Sequence, residues 1–239
     1  MSSSREKVFY LLPNLLSEHN VGSQIPPYVA AILEQIEVLW VENPKPARAF
    51  IKACETERPI SSFEIFPLPK HDKQFSDRGE LLQQLDKVQV AGFLSDAGLP
   101  CIADPGALLV NIARKAGFRI APLVGPSSLM LALMGAGFNG QQFVFHGYLP
   151  IQTAELRKAL KGMEHEANTT AYTQIFIETP YRNDKLLELM YEIMSPSTQL
   201  CIACNLTGEN EYIQTQTLAS WKKSAVVIGK NPCVFLIGR

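Results

Sequence analysis

Two short runs carry the residue types of a ligand site. Ser95-Asp96-Ala97-Gly98-Leu99-Pro100 offers a carboxylate, a hydroxyl and a glycine-loosened backbone, and Gly125-Pro126-Ser127-Ser128 offers two hydroxyls. Such groups can hold the polar edge of a small molecule. Each run follows an apolar stretch that reads as a buried strand, VQVAGFL (88–94) and FRIAPLV (118–124). Ligands of open α/β sheets bind at the carboxyl ends of strands. Both runs have a structural alternative. Asp96 can bond its own turn, and Ser127 or Ser128 can cap the helix that follows. A second cluster, Asp104-Pro105-Gly106, reads as a helix start, with Asp104 as N-cap and Pro105 at the first helical position.

Two other patterns lack the context that their chemistry needs. Gly135-Ala136-Gly137-Phe138-Asn139-Gly140 fits G-x-G-x-x-G, but it closes a helix and precedes a strand. A dinucleotide fingerprint requires the reverse, so a nicotinamide oxidoreductase finds little support. Cys201 and Cys204 form a C-x-x-C inside an apparent strand, where residues three apart point to opposite faces. No second pair completes a zinc site, so no metal is expected.

The elements that must position these residues alternate through the first half. VFYLL (8–12), VLWVE (38–42), SFEIFPL (62–68), VQVAGFL (88–94) and FRIAPLV (118–124) read as strands. Helical patterns lie between them in YVAAILEQIE, ARAFIKAC (47–54), ELLQQL (80–85) and ALLVNIARKAG (107–117), with loops at 13–25 and 69–78. Alternation of this kind predicts parallel βαβ units in a doubly wound sheet. Later, QQFVFHGYL (141–149) and QIFIE (174–178) alternate with helices at 155–163 and 185–194. TQLCIAC, EYIQTQ and CVFLIG then follow with only TLASWKK between them, which predicts antiparallel neighbours. The expectation is α/β with two α/β domains, residues 1–124 with a mostly parallel sheet and 125–239 with a mixed sheet and helices.

Composition removes several classes. Of 239 residues, 46% are apolar and 19% charged, an ordinary globular balance that excludes a disordered chain. The net charge of −1 does not suit a strongly basic nucleic-acid binder. No apolar run reaches membrane-spanning length, and Pro13-Asn14 interrupt any signal-peptide core. A cytoplasmic protein with its five cysteines as thiols is expected.

SDAGLPCIADPG, PLVGPSSLMLALMGAGF and FVFHGYLP, in that order, resemble the tetrapyrrole methylase class of S-adenosylmethionine-dependent methyltransferases. The resemblance is nearest to the branch that 2′-O-methylates a cytidine of small-subunit ribosomal RNA. It continues through QIFIETPYRNDKLLELM, IACNLTGENEYIQTQTLASW and KNPCVFLIGR. It implies a cofactor cleft between the two domains and, as a rule of the class, a homodimer. It implies that S-adenosylmethionine is bound by Leu12 and Pro13, by Ser95, Asp96, Ala97, Gly98 and Leu99, by Ser127 and Ser128, by Leu206, and by Pro232 and Cys233. A sulfonium methyl is already activated, so transfer to an alcohol chiefly requires alignment, exclusion of water and removal of a proton. Glu178, Tyr181 and His146 are candidates for that last task, and each can equally be structural.

Departures cluster on the acceptor side. The branch's glycine-bearing first loop becomes LLPNLLSEHN, its Glu-Asp-Thr-Arg becomes ENPKP, and its Arg-Glu-Leu-Thr-Lys becomes Cys204-Asn205-Leu206-Thr207-Gly208. Charges that would hold an acceptor are lost, and nearby cations reduce to Lys45, Arg48, Arg182 and Lys185. The acceptor stays open between ribosomal RNA and a small molecule, with a narrow preference for a non-ribosomal one. A non-catalytic cofactor-binding or scaffold protein is the rival reading.

Overall fold

The computed structural model describes residues 6–18, 21–68 and 78–239. They form two compact units, Met1–Ser127 and Ser128–Arg239.

The first unit holds a parallel five-stranded sheet in the order β3-β2-β4-β1-β5. Its strands are β1 (Val8–Leu12), β2 (Val38–Val41), β3 (Glu64–Pro67), β4 (Val90–Leu94) and β5 (Arg119–Pro122). Side chains alternate between two cores, as the period of a strand requires. Phe9, Trp40 and Phe93 pack on one face with Leu109 and Ile112 of α5 (Ala107–Lys115). Leu12, Leu39 and Leu94 pack on the other with Val29 and Leu33 of α2 (Tyr28–Leu33) and Phe50 and Ile51 of α3 (Pro44–Ala53). Helices on both faces make the sheet doubly wound. The stretch read as loop contains a short helix, α1 (Val21–Gln24), and α4 (Arg78–Asp86) begins earlier than its apolar pattern. Most of the loop expected at 69–78 lies outside the described residues.

One expectation is corrected. Asp104 does not cap α5; the cap position is Gly106, at φ 125°. A Cβ there would stand 2.4 Å from the Phe93 ring, so only glycine fits, and the helix starts after it. Asp104 is thereby free for another use.

The second unit carries a mixed sheet in the order β6-β7-β10-β8-β9. Its strands are β6 (Phe143–Tyr148), β7 (Thr173–Ile177), β8 (Gln199–Cys204), β9 (Tyr212–Thr217) and β10 (Cys233–Gly238). β6 and β7 are parallel, and β10 is antiparallel to both β7 and β8. One face packs against α7 (Thr153–Thr170), α8 (Asn183–Ile193) and α9 (Leu218–Ser224) through Phe176, Phe235, Leu160, Met190 and Trp221. α7 runs a full turn or more beyond the predicted helix at each end except its start. The helix α6 (Ser128–Ala136) meets β9, where a Cβ on Gly135 would stand 2.7 Å from Ile213. Gly137, at φ 73°, ends α6 as the helix-terminating reading of that glycine run requires.

A second correction concerns the cysteines. Cys204 and Cys233 face each other across β8 and β10 and are joined by a disulfide. Cys54, Cys101 and Cys201 are thiols. No helix among the described residues is long and apolar enough to cross a membrane, and none of their side chains group into a metal site.

Candidate functional site

The first unit gathers loops at the carboxyl ends of neighbouring strands. β1 ends in Leu12, which is wholly buried. Asn14 follows, 4% exposed, and ties the loop after β4. Its Nδ2 donates to the carbonyls of Ser95 at 2.8 Å and Asp96 at 3.0 Å. Its backbone N–H donates to the Gly98 carbonyl at 2.8 Å. After β5, Gly125 lies so close to Pro13 that a Cβ would meet the proline Cβ at 2.0 Å. The loops of β1, β4 and β5 therefore touch one another. Gly98, Cys101, Ala103 and Gly106 all take positive φ, which folds residues 95–106 back on themselves. Left-handed backbone at non-glycine residues persists only where surroundings over-determine it.

β2 adds Glu42 and Asn43 to this edge. Glu42 Oε2 accepts the Asp96 N–H at 3.1 Å, and Asn43 Nδ2 donates to Asp96 Oδ2 at 2.5 Å. Asn43 thus supplies a donor where a carboxylate would repel Asp96. Burial, and the charge of Asp96, push the Glu42 carboxyl up, against the lowering hydrogen bond from the Asp96 backbone. Asp104 is pushed up to about 7, first by burial, then by the charges of Glu42 and Asp96, while a hydrogen bond with Ser95 opposes them. Among the described residues no Lys, Arg or His pairs with Glu42, Asp96 or Asp104.

Of the expected residues in this unit, Leu12, Pro13 and Ser95 to Leu99 come together beside Gly125. Ser95 is 2% exposed and its hydroxyl donates to the Ala97 carbonyl at 3.2 Å, whereas Ala97 is exposed. Asn14, Glu42, Asn43 and Asp104 join them and were not named from sequence as binding residues. Part of their signal was available: Glu42 ends the predicted strand 38–42, Asn43 directly follows it, and Asn14 lies two residues past the predicted strand 8–12.

In the second unit, Leu206, Pro232 and Cys233 lie together, because the Asn205 N–H donates to the Pro232 carbonyl at 3.0 Å. Leu206 and Cys233 are buried and Pro232 is exposed. Ser128 is the first residue of α6. Glu178 follows β7 with its side chain 1% exposed, and Arg182 Nη2 stands 3.2 Å from Oε2. Glu178 Oε1 accepts the Thr179 N–H at 2.7 Å, while Oε2 faces Arg182 without a hydrogen bond. Tyr181 is 75% exposed, with Lys230 Nζ 5.1 Å from its ring centre. Gln174 Nε2 donates to the Tyr172 carbonyl, so Gln174 Oε1 must accept from His146 Nε2, at 2.7 Å. The neutral His146 ring keeps Nδ1 as an acceptor. His146 lines an open groove of about 480 Å³ with Tyr148, Leu149, Met163 and Glu166.

Comparison with known proteins supplies the family. No family model matches the chain. Ribosomal RNA small subunit methyltransferase I of Xylella fastidiosa is 30% identical over 201 residues, covering 84% of this chain and 70% of that protein. The protein of the same name from Pseudomonas aeruginosa is 27% identical, covering 89% and 73%. That from Escherichia coli O157:H7 is 35% identical, covering 72% and 60%, so the chain spans less than two thirds of this last relative. A crystal structure of the methyltransferase CobJ shares the fold, with a TM-score of 0.62 at 16% identity over 98% of this chain and 94% of that one. The chain therefore belongs to the ribosomal RNA small subunit methyltransferase I family and is an S-adenosylmethionine-dependent methyltransferase.

Proposed function

We propose that the chain transfers the methyl group of S-adenosylmethionine to a ribose hydroxyl of RNA. The observation that carries the donor half is the set of carboxyl groups of Glu42, Asp96 and Asp104, gathered at strand ends without a cation among the described residues. The donor set fits the group. S-adenosylmethionine bears a sulfonium, an ammonium and ribose hydroxyls, each of which is met by carboxylate oxygens. When bound, it supplies an activated methyl on a cationic sulfur. In this reading Asp96, held by Asn43, accepts hydrogen bonds from the donor, and the backbone of Leu12, Pro13 and Ala97 to Leu99 shapes its seat. Ser127, Ser128, Leu206, Pro232 and Cys233 complete the proposed contacts. His146 Nδ1 is the proton acceptor that the side-chain pairings best support. The resemblance supports a cytoplasmic homodimer.

The acceptor half rests on the relatives' names and on one local feature. Lys45, Arg48 and Lys52 are exposed at i, i+3 and i+7 on α3, and none pairs with an acidic side chain among the described residues. A phosphate backbone fits such a stripe, which the near-neutral total charge conceals. The test is incubation of the protein and methyl-labelled donor with undermethylated small ribosomal subunits. Methylation of one ribose per subunit is expected. No incorporation, with donor binding confirmed by calorimetry, would sink the RNA reading. It would leave the small-molecule acceptor that the uncharged Cys204–Gly208 segment favours.

A further inference from the structure

We propose that Cys204 and Cys233 are a reversible redox site whose thiol or disulfide state sets the affinity for the methyl donor. The proposal rests on the reading that Leu206, Pro232 and Cys233 contact that donor. Cys204 is the last residue of β8 and Cys233 the first of β10, paired in register with Cα atoms 4.3 Å apart. The bond therefore closes the sheet at the point where two loops leave it. One loop begins with Asn205-Leu206-Thr207, and the other ends with Lys230-Asn231-Pro232. Beside the bond, the Asn205 N–H donates to the Pro232 carbonyl at 3.0 Å. Asn205 and Thr207 sit at φ 51° and 67°, a backbone that non-glycine residues keep only under outside constraint.

Reduction leaves that backbone to the loop's own hydrogen bonds, from the Gly208 N–H to the Asn205 carbonyl at 2.8 Å and from the Thr207 N–H to Glu211 Oε2 at 2.5 Å, and adds a steric demand. Bonded sulfurs are about 2 Å apart. As thiols they must separate to about 3.5 Å or more. Cys204 is 0% and Cys233 7% exposed, so the surrounding core has no slack to absorb the change. The two side chains must turn apart into their packed surroundings, and the adjoining Leu206 and Pro232 are displaced with them. The disulfide form holds the loops in the arrangement described and binds the donor more tightly, because the ordering has already been done.

The chemistry balances with a small disulfide such as oxidised glutathione as oxidant. The Cys233 thiolate, next to exposed Pro232, attacks one sulfur of the small disulfide and releases one small thiolate. Cys204 loses its proton and attacks the Cys233 sulfur of the mixed disulfide, releasing the second. The protein loses two electrons and two protons, and two small thiols carry them. Burial pushes the Cys54 thiol up to about 11 and raises those of Cys101 and Cys201, which keeps these three protonated near neutral pH.

The full chain is equilibrated in glutathione buffers of graded ratio. Thiols are counted after denaturation, the cross-link is mapped by mass spectrometry, and S-adenosylhomocysteine affinity is read by calorimetry at each ratio. Two thiols should disappear per chain, in a Cys204–Cys233 peptide. Affinity should weaken at least tenfold on reduction, with the same midpoint. Cys204→Ala, checked for folding by circular dichroism, should hold the reduced affinity at every ratio, and Cys201→Ala should still switch. Five thiols at every ratio, or equal affinity in two chemically verified states, overturns the proposal while leaving the donor site standing. Absence of binding in both states removes the donor-site reading and the proposal with it.

Discussion

Carboxyl groups stand at strand ends in both units, but they are satisfied differently. In the second unit Glu178 has Arg182 beside it, and Asp184 accepts the backbone N–H groups of Ile228 and Gly229 at 2.8 and 3.1 Å. In the first unit Glu42, Asp96 and Asp104 have no cation beside them among the described residues, and Asp104 is pushed up to about 7, first by burial and then by the charges of Glu42 and Asp96. Buried charge is ordinarily paired. An unpaired cluster of this kind suits a cationic ligand, and the methyl donor proposed above is one. The contrast predicts opposite responses to substitution. Weakening the pairing in the second unit should destabilise the protein, whereas removing charge in the first should leave the fold as stable or more so and impair binding.

The largest effect is expected at Arg182. Arg182→Met leaves the Glu178 carboxyl buried without its cation and also frees the Pro150 carbonyl, which Arg182 Nη2 reaches at 3.2 Å. Loss of one partner from a buried pair costs about 3–5 kcal/mol. Urea unfolding should show a drop of that order, and an unchanged midpoint would remove Glu178 and Arg182 from the structural side of the comparison. Next comes Asn14→Ala, which leaves the Ser95 and Asp96 carbonyls without their amide donor. About 2–3 kcal/mol of stability should be lost. The β4 loop should loosen as well, weakening S-adenosylhomocysteine binding at least tenfold by calorimetry. A variant that unfolds more easily but binds as tightly would make Asn14 a fold residue only.

Asp96→Ala separates binding from folding. Asp96 is half exposed; its side-chain partner Asn43 can turn to water, and the bond to Glu42 comes from the Asp96 backbone N–H, which alanine keeps. Unfolding should barely change, and donor affinity should fall by about 1–2 kcal/mol, the worth of one charge-assisted hydrogen bond. Loss of stability with unchanged affinity would return Asp96 to the turn-forming role that its sequence context also allows.

The parallel sheet of the first unit and the antiparallel ladder of the second were legible because apolar periodicity reports burial directly. The strand-end loops were legible too, since Asp, Gly and Pro interrupt those runs. Three features were not. Asp104 looks like a helix cap in one dimension, and only the collision of a Cβ at residue 106 with Phe93 shows that Gly106 holds that place. Asn14 acts on residues more than 80 positions away, and pairings at that separation leave no local pattern. Cys204 and Cys233 lie 29 residues apart and meet only through the register of β8 against β10. Periodicity therefore identifies which strands exist, while sheet order decides which side chains meet at their ends.

The smallest effect tests the comparison most narrowly, through pH. The Asp104 carboxyl is raised to about 7, whereas an unfolded aspartate ionises near 3.8. A carboxyl raised by folding favours the folded state fully below its unfolded value, and that advantage is lost as pH climbs through the folded value. Wild-type stability should therefore decline between about pH 4 and 7 on this account. Asp104→Asn removes the ionisation, so it should stabilise the protein above pH 7 and lose that advantage toward pH 4. After allowance for the solvent exposure of the group, the gain at pH 8 should be about 1 kcal/mol, a few degrees in melting temperature. Binding should respond in the opposite sense. A cationic donor favours ionised Asp104, so wild-type affinity for S-adenosylmethionine should tighten from pH 5.5 to 7.5 as the site becomes anionic, and proton release should accompany binding. Asp104→Asn should flatten that slope and bind more weakly at pH 7.5. Melting curves and calorimetry in buffers of differing ionisation enthalpy measure both. If Asp104→Asn destabilises the protein at pH 8, Asp104 is satisfied as Glu178 is, and the distinction between the two sets of carboxylates fails.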